Sequence, residues 1–599
     1  MLNDDLRRFG EALVCFDQAS QYEPNLADAD INRGNALKDL KRLEEAIASL
    51  DDTLGIDPDE ALASFEHAFA INPEYAEAHN NRGNTPRDLQ HLHAALESYD
   101  RAIQLKPDLA EAHCNRGVLL EKMGQHEAAL ESLTKAITLQ PDGADAYGHL
   151  ATVHFSRGDM QTGIGFIRKA LSLDPRMANT HSALIFTLDL LAGPDTAAQQ
   201  QERVHWNQLH AEPLMKARDY VNDPDPQRPL RIGYVSGDFN HHSAASSFLL
   251  LLASFDRSLF EVIAYSNSSK KDEITASIQS RVTLWRDIDE LSDDAAADLI
   301  LHDRVDLLVD LSGHTQGNRL LVFARKPAPV QVSAIGYPTG TGMQAMDALF
   351  SDAVVIPPEE RELYAEDVRY LPSVIMYSRN LDDFPPVNEL PALSSNVITF
   401  GAFNRLAKIT EESLIVWVRL LQTLPQSALI LKAGEFDDQV VRKQLMAPFI
   451  KAGIAPERIS ILGKTPWAGH MHALNRVDIA LDTLPHGGDI TTLEGIMMGI
   501  PVVTLRWPTF AGRASASLLT SLGLTDWIAE NPDQYMEIAI EKSRDLDSLA
   551  ALRARLRPQF AASIFGNPAV MVKAIENEYR KLWQEWCARR SLPAIKTHE

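Results

Sequence analysis

Two rhythms of apolar and polar positions divide the chain. Up to about residue 178, small and apolar residues recur at helical spacing in paired runs, each pair closed by a polar turn carrying a proline. From Leu230 onward, short β-branched runs alternate with helical patterns, which predicts parallel sheets flanked by helices. A first series of strands is expected at 231–236, 260–265, 305–311 and 330–335. After a proline-rich interval, 371–391, a second series is expected at 397–401, 428–432, 459–462, 478–481 and 502–505. Between the two textures lie helical patterns at 180–191 and 197–217, broken by Gly193-Pro194, and a proline-rich polar linker at 221–229. The expected organisation is a helical array (1–178), capping helices and linker (179–229), and two α/β lobes (230–390 and 391–599, the latter with C-terminal helices).

The helical part has a fixed period. Prolines stand at 24, 58, 73, 107, 141 and 175, and apart from the step to Pro73 each interval is 34 residues. That is the period of tetratricopeptide helical hairpins, which stack into a superhelix with a concave groove. Gly34, Gly83, Gly117 and Ala151 recur where the two helices of a hairpin cross; Ala12, Ala46, Ala95 and Ala129 recur at the second crossing position. Ala19, Ala102, Ala136 and Ala170 precede the closing turn, and Asn-Arg-Gly repeats at 32, 81 and 115. Residues before Pro24 and residues 59–73 supply only second-helix patterns. Thr85-Pro86 falls inside an expected first helix, where proline costs roughly 3 kcal/mol, so that helix should kink or end near Asn84.

Two tandem α/β lobes place a ligand cleft between them, at the carboxyl ends of strands. The richest stretch there follows the expected strand 478–481. It runs through Asp482, His486 and paired Gly487-Gly488 to Asp489, Ile490, Thr491, Thr492 and Glu494 at the start of a helix. Glycines let backbone approach a ligand, helix-terminal amides favour an anion, threonine hydroxyls add donors, and Glu494 could accept from ribose hydroxyls. The stretch is a plausible nucleotide-diphosphate cradle or a purely structural turn. Arg405 and Lys408, a turn apart after strand 397–401, suit a diphosphate leaving group or a solvated basic face. His242, after the first strand, could be a general base, a donor to phosphate or a loop imidazole bonded to backbone. Ser312-Gly313-His314-Thr315 and Gly336-Tyr337-Pro338 are polar loops suited to acceptor or sugar contacts, or plain turns. His470 lies on an expected helix, where it could serve packing alone.

Composition narrows the function classes. The 599 residues exceed a single core, and 45% hydrophobic content indicates globular folding throughout. A formal charge of −25 disfavours a general nucleic-acid or anionic-membrane binder while allowing a local basic pocket. Cys15, Cys114 and Cys587 are far apart, which supports neither a disulfide framework nor a zinc site of cysteines. The first residues carry no apolar run of signal-peptide type, and no apolar span of about 18 residues occurs, so a cytoplasmic protein without a membrane segment is expected. Neither lobe opens with G-x-G-x-x-G, which disfavours a nicotinamide enzyme. No Asp-x-Asp pair stands where a divalent ion would bridge phosphates, so chemistry without a metal is favoured.

Several motifs, in order, resemble the tetratricopeptide-linked O-linked N-acetylglucosamine transferases, the bacterial, SPINDLY-like branch of glycosyltransferase family 41. They are Tyr234-Val-Ser-Gly-Asp-Phe-Asn-His-His242, Asp310-Leu-Ser-Gly-His-Thr-Gln-Gly-Asn-Arg319 and Arg325-Lys-Pro-Ala-Pro-Val-Gln331 running to Gly336-Tyr-Pro338. With them go residues 403–408, and Leu481-Asp-Thr483 through Gly499-Ile-Pro501 to Arg513. The resemblance covers nearly the whole chain. It implies a GT-B fold of two Rossmann-like lobes and metal-free, inverting transfer of GlcNAc from UDP-GlcNAc to Ser or Thr of proteins held by the repeats. By motif position it implies His242 as the disputed base, Arg405 where a Gln is common, and Lys408 on the diphosphate. It implies His470 at the uracil, backbone groups at 465–467 (Thr465 among them) holding that base, Gly488, Thr491 and Thr492 in the phosphate-binding turn, and Glu494 on the ribose. Asp489 and Ile490 depart from the family pattern: one adds a carboxylate near the expected phosphates, the other removes a hydroxyl. These departures keep alternatives open: an impaired repeat scaffold, another nucleotide sugar, or an asparagine acceptor.

Overall fold

The computed structural model describes residues 73–84, 89–191, 195–216, 218–376 and 381–591. They fall into two compact units that divide between Pro175 and Arg176. The repeat positions 12, 19, 34 and 46 lie outside the described residues, as does Pro86.

The first unit is a run of antiparallel helix pairs: Ala76–Gly83 with Leu89–Leu105, Ala110–Lys122 with His126–Leu139, and Ala144–Ser156 with Met160–Leu173. The small residues sit where the 34-residue period puts them. A Cβ on Gly83 would stand 2.4 Å from the Tyr99 ring, and one on Gly117 would stand 2.5 Å from Leu133 Cγ, so only glycine lets these helices cross so closely. The Asn-Arg-Gly repeat has a job inside the array. Arg82 Nε donates to Ser98 Oγ (2.9 Å), Arg116 Nη1 to Ser132 Oγ (2.5 Å), and Asn115 Nδ2 to Asn80 Oδ1 (3.1 Å) in the preceding repeat. The helix before Thr85-Pro86 ends early as expected: it has 8 residues and a cap at Asn84, against 13 in each of the two equivalent helices that follow.

The second unit contains two all-parallel sheets. In the first lobe the strands are β1 (Leu230–Ser236), β2 (Phe260–Ser266), β3 (Leu284–Asp287), β4 (Leu307–Asp310), β5 (Val330–Ser333), β6 (Ala348–Ser351) and β7 (Asp367–Tyr370), ordered β3-β2-β1-β4-β5-β6-β7. In the second they are β8 (Ile398–Ala402), β9 (Ser427–Lys432), β10 (Ile459–Leu462), β11 (Ile479–Leu481), β12 (Val502–Leu505) and β13 (Ile528–Ala529), ordered β10-β9-β8-β11-β12-β13. Helices cover both faces, so central strands such as β4, β5 and β12 are buried throughout, and the polar Gln331 of β5 is satisfied by the Phe323 and Ala345 carbonyls. The strand order reverses between β1 and β4 and between β8 and β11, and ligand crevices form outside the carboxyl ends at such switch points.

Two expected boundaries need correction. The helices Ala178–Asp189 and Thr196–Trp206, read as a cap and a joint, belong to the second unit: Ile185 and Trp206 are buried with Val235, Leu308 and Met343 of the first lobe. The last helix, Pro568–Ser591, expected to pack on the second lobe, lies elsewhere. Its Ile575, Tyr579, Trp583 and Trp586 instead complete the first lobe's core against Leu230, Phe248 and Phe255. The large aromatic face of that helix finds its apolar partner only there, far back in the chain. The lobes are also tied by Arg513, whose guanidinium makes a two-pronged ion pair with Glu360 (2.6 Å for both bonds), and by Ser517 Oγ donating to Asp352 (2.6 Å). No helix among the described residues is long and apolar enough to cross a membrane.

Candidate active site

The β8/β11 switch point brings two loops together. β8 runs into Phe403, Asn404 and Arg405, then into a short turn, Leu406–Lys408. β11 runs into Asp482 and the Gly487-Gly488 pair, then into helix Ile490–Met497. Lys408 is buried, and its Nζ donates to the Gly487 carbonyl (2.6 Å) and reaches Asp489 Oδ2 (3.4 Å). Thr491 Oγ1 donates to Asn404 Oδ1 (2.8 Å), a second tie between the loops.

Close packing explains the glycine pair. The buried Asp482 carboxylate, held by Thr504 Oγ1 (2.8 Å), lies directly beneath. A Cβ at Gly487 would stand 2.6 Å from Asp482 Oδ2, and one at Gly488 would stand 2.5 Å from Thr492 Oγ1 and 2.6 Å from Thr491 Oγ1. Thr492 itself is buried against Ser515 Oγ (3.2 Å), so it shapes the loop from behind. Asp489 precedes the helix at φ 50° and ψ −101°, a conformation unusual for a residue with a Cβ, and its side chain makes no capping bond. Its carboxylate turns to Lys408 and to His486 Nε2 (3.5 Å).

One end of this cradle is an aromatic slot. His470, on helix Trp467–Leu474, stacks on Trp467 (6.1 Å, 20° between planes) and meets Phe403 edge-on (5.5 Å). Its Nε2 lies 3.5 Å from Glu494 Oε2. Thr465 is exposed just before that helix, and Gly469 lets the two pack: a Cβ there would stand 3.0 Å from Thr465 Cβ.

The other end joins Tyr337, Arg405 and Asp489, which the sequence singles out, to His486, Phe186, Asp189 and Arg203, which it does not. His486 is buried, its ring lies parallel to Tyr337 (6.5 Å, 25°), and its Nδ1 finds no hydrogen-bond partner among the described residues. Asp489 Oδ1 is in the same position. Tyr337 is fixed from below, its hydroxyl donating to Asp189 Oδ2 (3.2 Å), which also accepts from Arg203 Nη2 (2.6 Å). Arg203 binds Thr339 Oγ1 (2.8 Å) and the Gly340 carbonyl (3.0 Å), holding the loop after the buried Pro338. Phe186 stacks beneath the exposed Arg405 guanidinium (5.5 Å). The helix 178–189 thus forms part of the wall.

Three first-lobe residues follow the structural alternatives the sequence left open: a built-in turn for His314 and Thr315, and a loop imidazole bonded to backbone for His242. His314 is fully built into the interior: Nδ1 meets Ser182 Oγ (3.1 Å) and Nε2 meets the Thr341 carbonyl (3.0 Å), so it anchors helix 178–189 and has no open ring nitrogen for a sugar or acceptor. Thr315 closes its own turn, donating to the Ser312 carbonyl (2.8 Å). His242 is half-exposed and bonds locally: Nδ1 accepts from the Ala244 amide (3.3 Å) and lies 3.7 Å from Asp238 Oδ2.

Burial and charge set the protonation states. Burial, reinforced by the Lys408 cation, pushes His486 down to about 4, so it is neutral at pH 7. Burial pushes Asp482 up to about 6. Burial raises Asp489 too, but Lys408 and His486 outweigh it and hold the carboxyl below its usual range. Lys408 is lowered by burial and partly restored by Asp489. The arrangement is an ammonium, the neutral His486 imidazole, helix-start amides and an aromatic slot, which suits a nucleotide carrying a diphosphate.

Comparison with known proteins agrees with this chemistry. The family model described as glycosyl transferase family 41 matches residues 196–390 and 387–572, and tetratricopeptide models match 4–60, 87–124 and 110–142. A tomato (Solanum lycopersicum) protein named probable UDP-N-acetylglucosamine–peptide N-acetylglucosaminyltransferase SPINDLY is 38% identical over 371 residues, 61% of this chain and 40% of that protein. The Arabidopsis thaliana protein of the same name is 34% identical over 383 residues, 63% of this chain and 42% of its own. The chain therefore spans about two fifths of the length of the curated relatives it matches. A solved structure of an O-GlcNAc transferase from Thermobaculum terrenum, in a mutant form, is 34% identical with a TM-score of 0.78, covering 86% of this chain and 98% of that one.

Proposed function

The chain belongs to glycosyltransferase family 41, and from that premise we propose that it transfers GlcNAc from UDP-GlcNAc to a Ser or Thr hydroxyl of a protein, with inversion and without a metal ion. The observation that carries this reading is Lys408, buried at the β8/β11 switch point with its ammonium on the Gly487 carbonyl. There it neutralises the charge that develops as the bond from the anomeric carbon to the diphosphate breaks. Stabilisation of that kind is worth about 2.7–4 kcal/mol for a single donor. The amides after Gly488 and the Thr491 hydroxyl add donors. Phe403, Trp467 and His470 offer aromatic faces to a nucleobase, and Glu494 an acceptor for ribose hydroxyls.

In the reaction the acceptor oxygen forms the new bond to the anomeric carbon, its proton leaves, and UDP departs with the bonding pair. With Nδ1 accepting from Ala244, a neutral His242 carries its proton on Nε2. That supports a donor role toward sugar or phosphate and leaves the proton acceptor open. The tetratricopeptide repeats support protein acceptors.

The test is a donor panel. Purified protein is incubated with acceptor proteins and each nucleotide sugar in turn, with and without EDTA, and intact mass and UDP release are read. The proposal requires Ser- or Thr-linked GlcNAc from UDP-GlcNAc at a rate EDTA does not change. Transfer from a different nucleotide sugar, or to asparagine, would replace the substrate assignment.

A second reading, a repeat scaffold with disabled lobes, is favoured by Asp489, whose carboxylate already occupies Lys408. Calorimetry with UDP separates the two, since a disabled cradle shows no binding.

A further inference from the structure

We propose that His181, Glu202 and His205 form a binding site for a divalent transition-metal ion of the zinc class, distinct from the reaction crevice. The three ligand atoms lie within 4.8 Å of one another. His181 Nε2 is 2.7 Å from Glu202 Oε1, and His205 Nδ1 is 3.5 Å from the same oxygen. Zinc bonds of about 2.0–2.1 Å to nitrogen and oxygen at tetrahedral angles require ligand atoms about 3.3 Å apart, a separation that the two contacts to Glu202 bracket. Two imidazole nitrogens with one carboxylate select zinc, nickel or cobalt over magnesium or calcium, which want oxygen alone.

The backbone prepares the set. Glu202 and His205 are three residues apart on helix Thr196–Trp206 and share a face; a Glu-x-x-His pair of that spacing is a known way for one helix to present two metal ligands. His181 comes from the facing helix Ala178–Asp189, so an ion would bridge the two.

The surroundings also fit. His181 is buried, and its other ring nitrogen, Nδ1, lies 3.0 Å from His210 Nε2. A metal-bound histidine characteristically gives its second N–H to a fixed acceptor, which sets tautomer and ring orientation. Without metal, Nε2–H bonds Glu202 and Nδ1 accepts from His210; with metal, Nε2 binds the ion and Nδ1–H donates to His210. Both states keep every ring nitrogen of His181 satisfied, and the exchange needs only a shift of tautomer along the pair. Glu202 is partly exposed and His205 is half-exposed, which gives the ion an entry path and leaves room for a water in the fourth position. Ser182 and Asp189 lie on the His181 helix and hold His314 and Tyr337, so a bound ion would stiffen one wall of the crevice without touching the reacting groups.

The experiment uses the full chain, stripped with EDTA and desalted. Zinc is titrated by calorimetry and cobalt by visible absorption, on wild type, His205→Ala, His205→Cys and Glu202→Gln. Wild type should bind one equivalent of zinc more than His205→Ala, with micromolar or tighter affinity, and zinc should raise its melting temperature by several degrees. Glu202→Gln should weaken that equivalent at least tenfold, and His205→Cys, which keeps a ligand, should restore it. His205 is exposed, so its variants should melt like metal-free wild type. Equal stoichiometry and affinity across wild type and variants, or no zinc binding at all, would overturn the site.

Discussion

Asp489 is the sharpest place to test how the cradle works. Its carboxylate stands 3.4 Å from Lys408 Nζ and 3.5 Å from His486 Nε2, on the loop that would face a diphosphate. Two unit charges 3.4 Å apart interact by about 5 kcal/mol at an effective dielectric of about 20. Asp489 is 32% exposed, so solvent screening reduces this to about 1–2 kcal/mol. An arriving diphosphate must compete for Lys408 and also bear the repulsion of the carboxylate. Asp489→Asn keeps the shape, tolerates the positive φ as well as aspartate does, and removes the charge while Lys408 retains its bond to the Gly487 carbonyl. A gain of about 1.4 kcal/mol is tenfold in Kd. Calorimetry at low salt should therefore show UDP binding about tenfold tighter in Asp489→Asn, with the difference shrinking as ionic strength rises. Unchanged or weaker UDP binding would refute the reasoning and mean that the carboxylate contributes to nucleotide recognition instead of opposing it.

Three further outcomes follow from the same geometry. Gly488→Ala places a Cβ 2.5 Å from Thr492 Oγ1 and 2.9 Å from Asp482 Oδ1, so the variant should lose UDP binding at least tenfold and melt several degrees lower. Asp189→Ala strips the buried partner of Arg203 and of the Tyr337 hydroxyl; breaking one side of a buried pair costs about 3–5 kcal/mol, readable as a fall in the urea midpoint of the second unit. His314 is held neutral, pushed by burial down to about 3, while an unfolded histidine titrates near 6.5. As pH falls below about 6.5 the unfolded chain takes a proton the native state refuses, so this stabilisation, complete above that pH, declines by about 1.4 kcal/mol per pH unit until the native pKa is reached. The stability difference between wild type and His314→Gln should shrink accordingly between pH 6.5 and 4, and a pH-independent difference would contradict the assignment.

What could be read from the sequence was local. The 34-residue period, the central strands and the strand-end loops each follow from spacing within a few dozen residues; among the proposed site residues, Lys408 meets the Gly487 carbonyl, Thr491 meets Asn404, and His470 meets Glu494. Four strands lie outside that reading: β3 is only partly buried along its four residues, β6 and β7 have four residues each and β13 has two, too little for an apolar alternation to register. What was misread depended on distant contacts. His314 sits in a loop that looks polar until Ser182, some 130 residues earlier, covers it. Phe186, Asp189 and Arg203 belong to helices whose pattern continues that of the repeats, yet they pack on the first lobe. His486 stands in the glycine-rich stretch after β11, but its surroundings come from Asp489 and from the Tyr337 ring, which a different lobe supplies.

The central claim is that the Lys408 ammonium carries the leaving diphosphate. Single-turnover transfer from UDP-GlcNAc should be measured for wild type and Lys408→Ala at saturating donor, with melting curves to establish that both are folded. The claim requires the rate of the chemical step to fall about 10²–10³-fold in a folded variant. A Lys408→Ala protein that transfers sugar at near wild-type rate would contradict it.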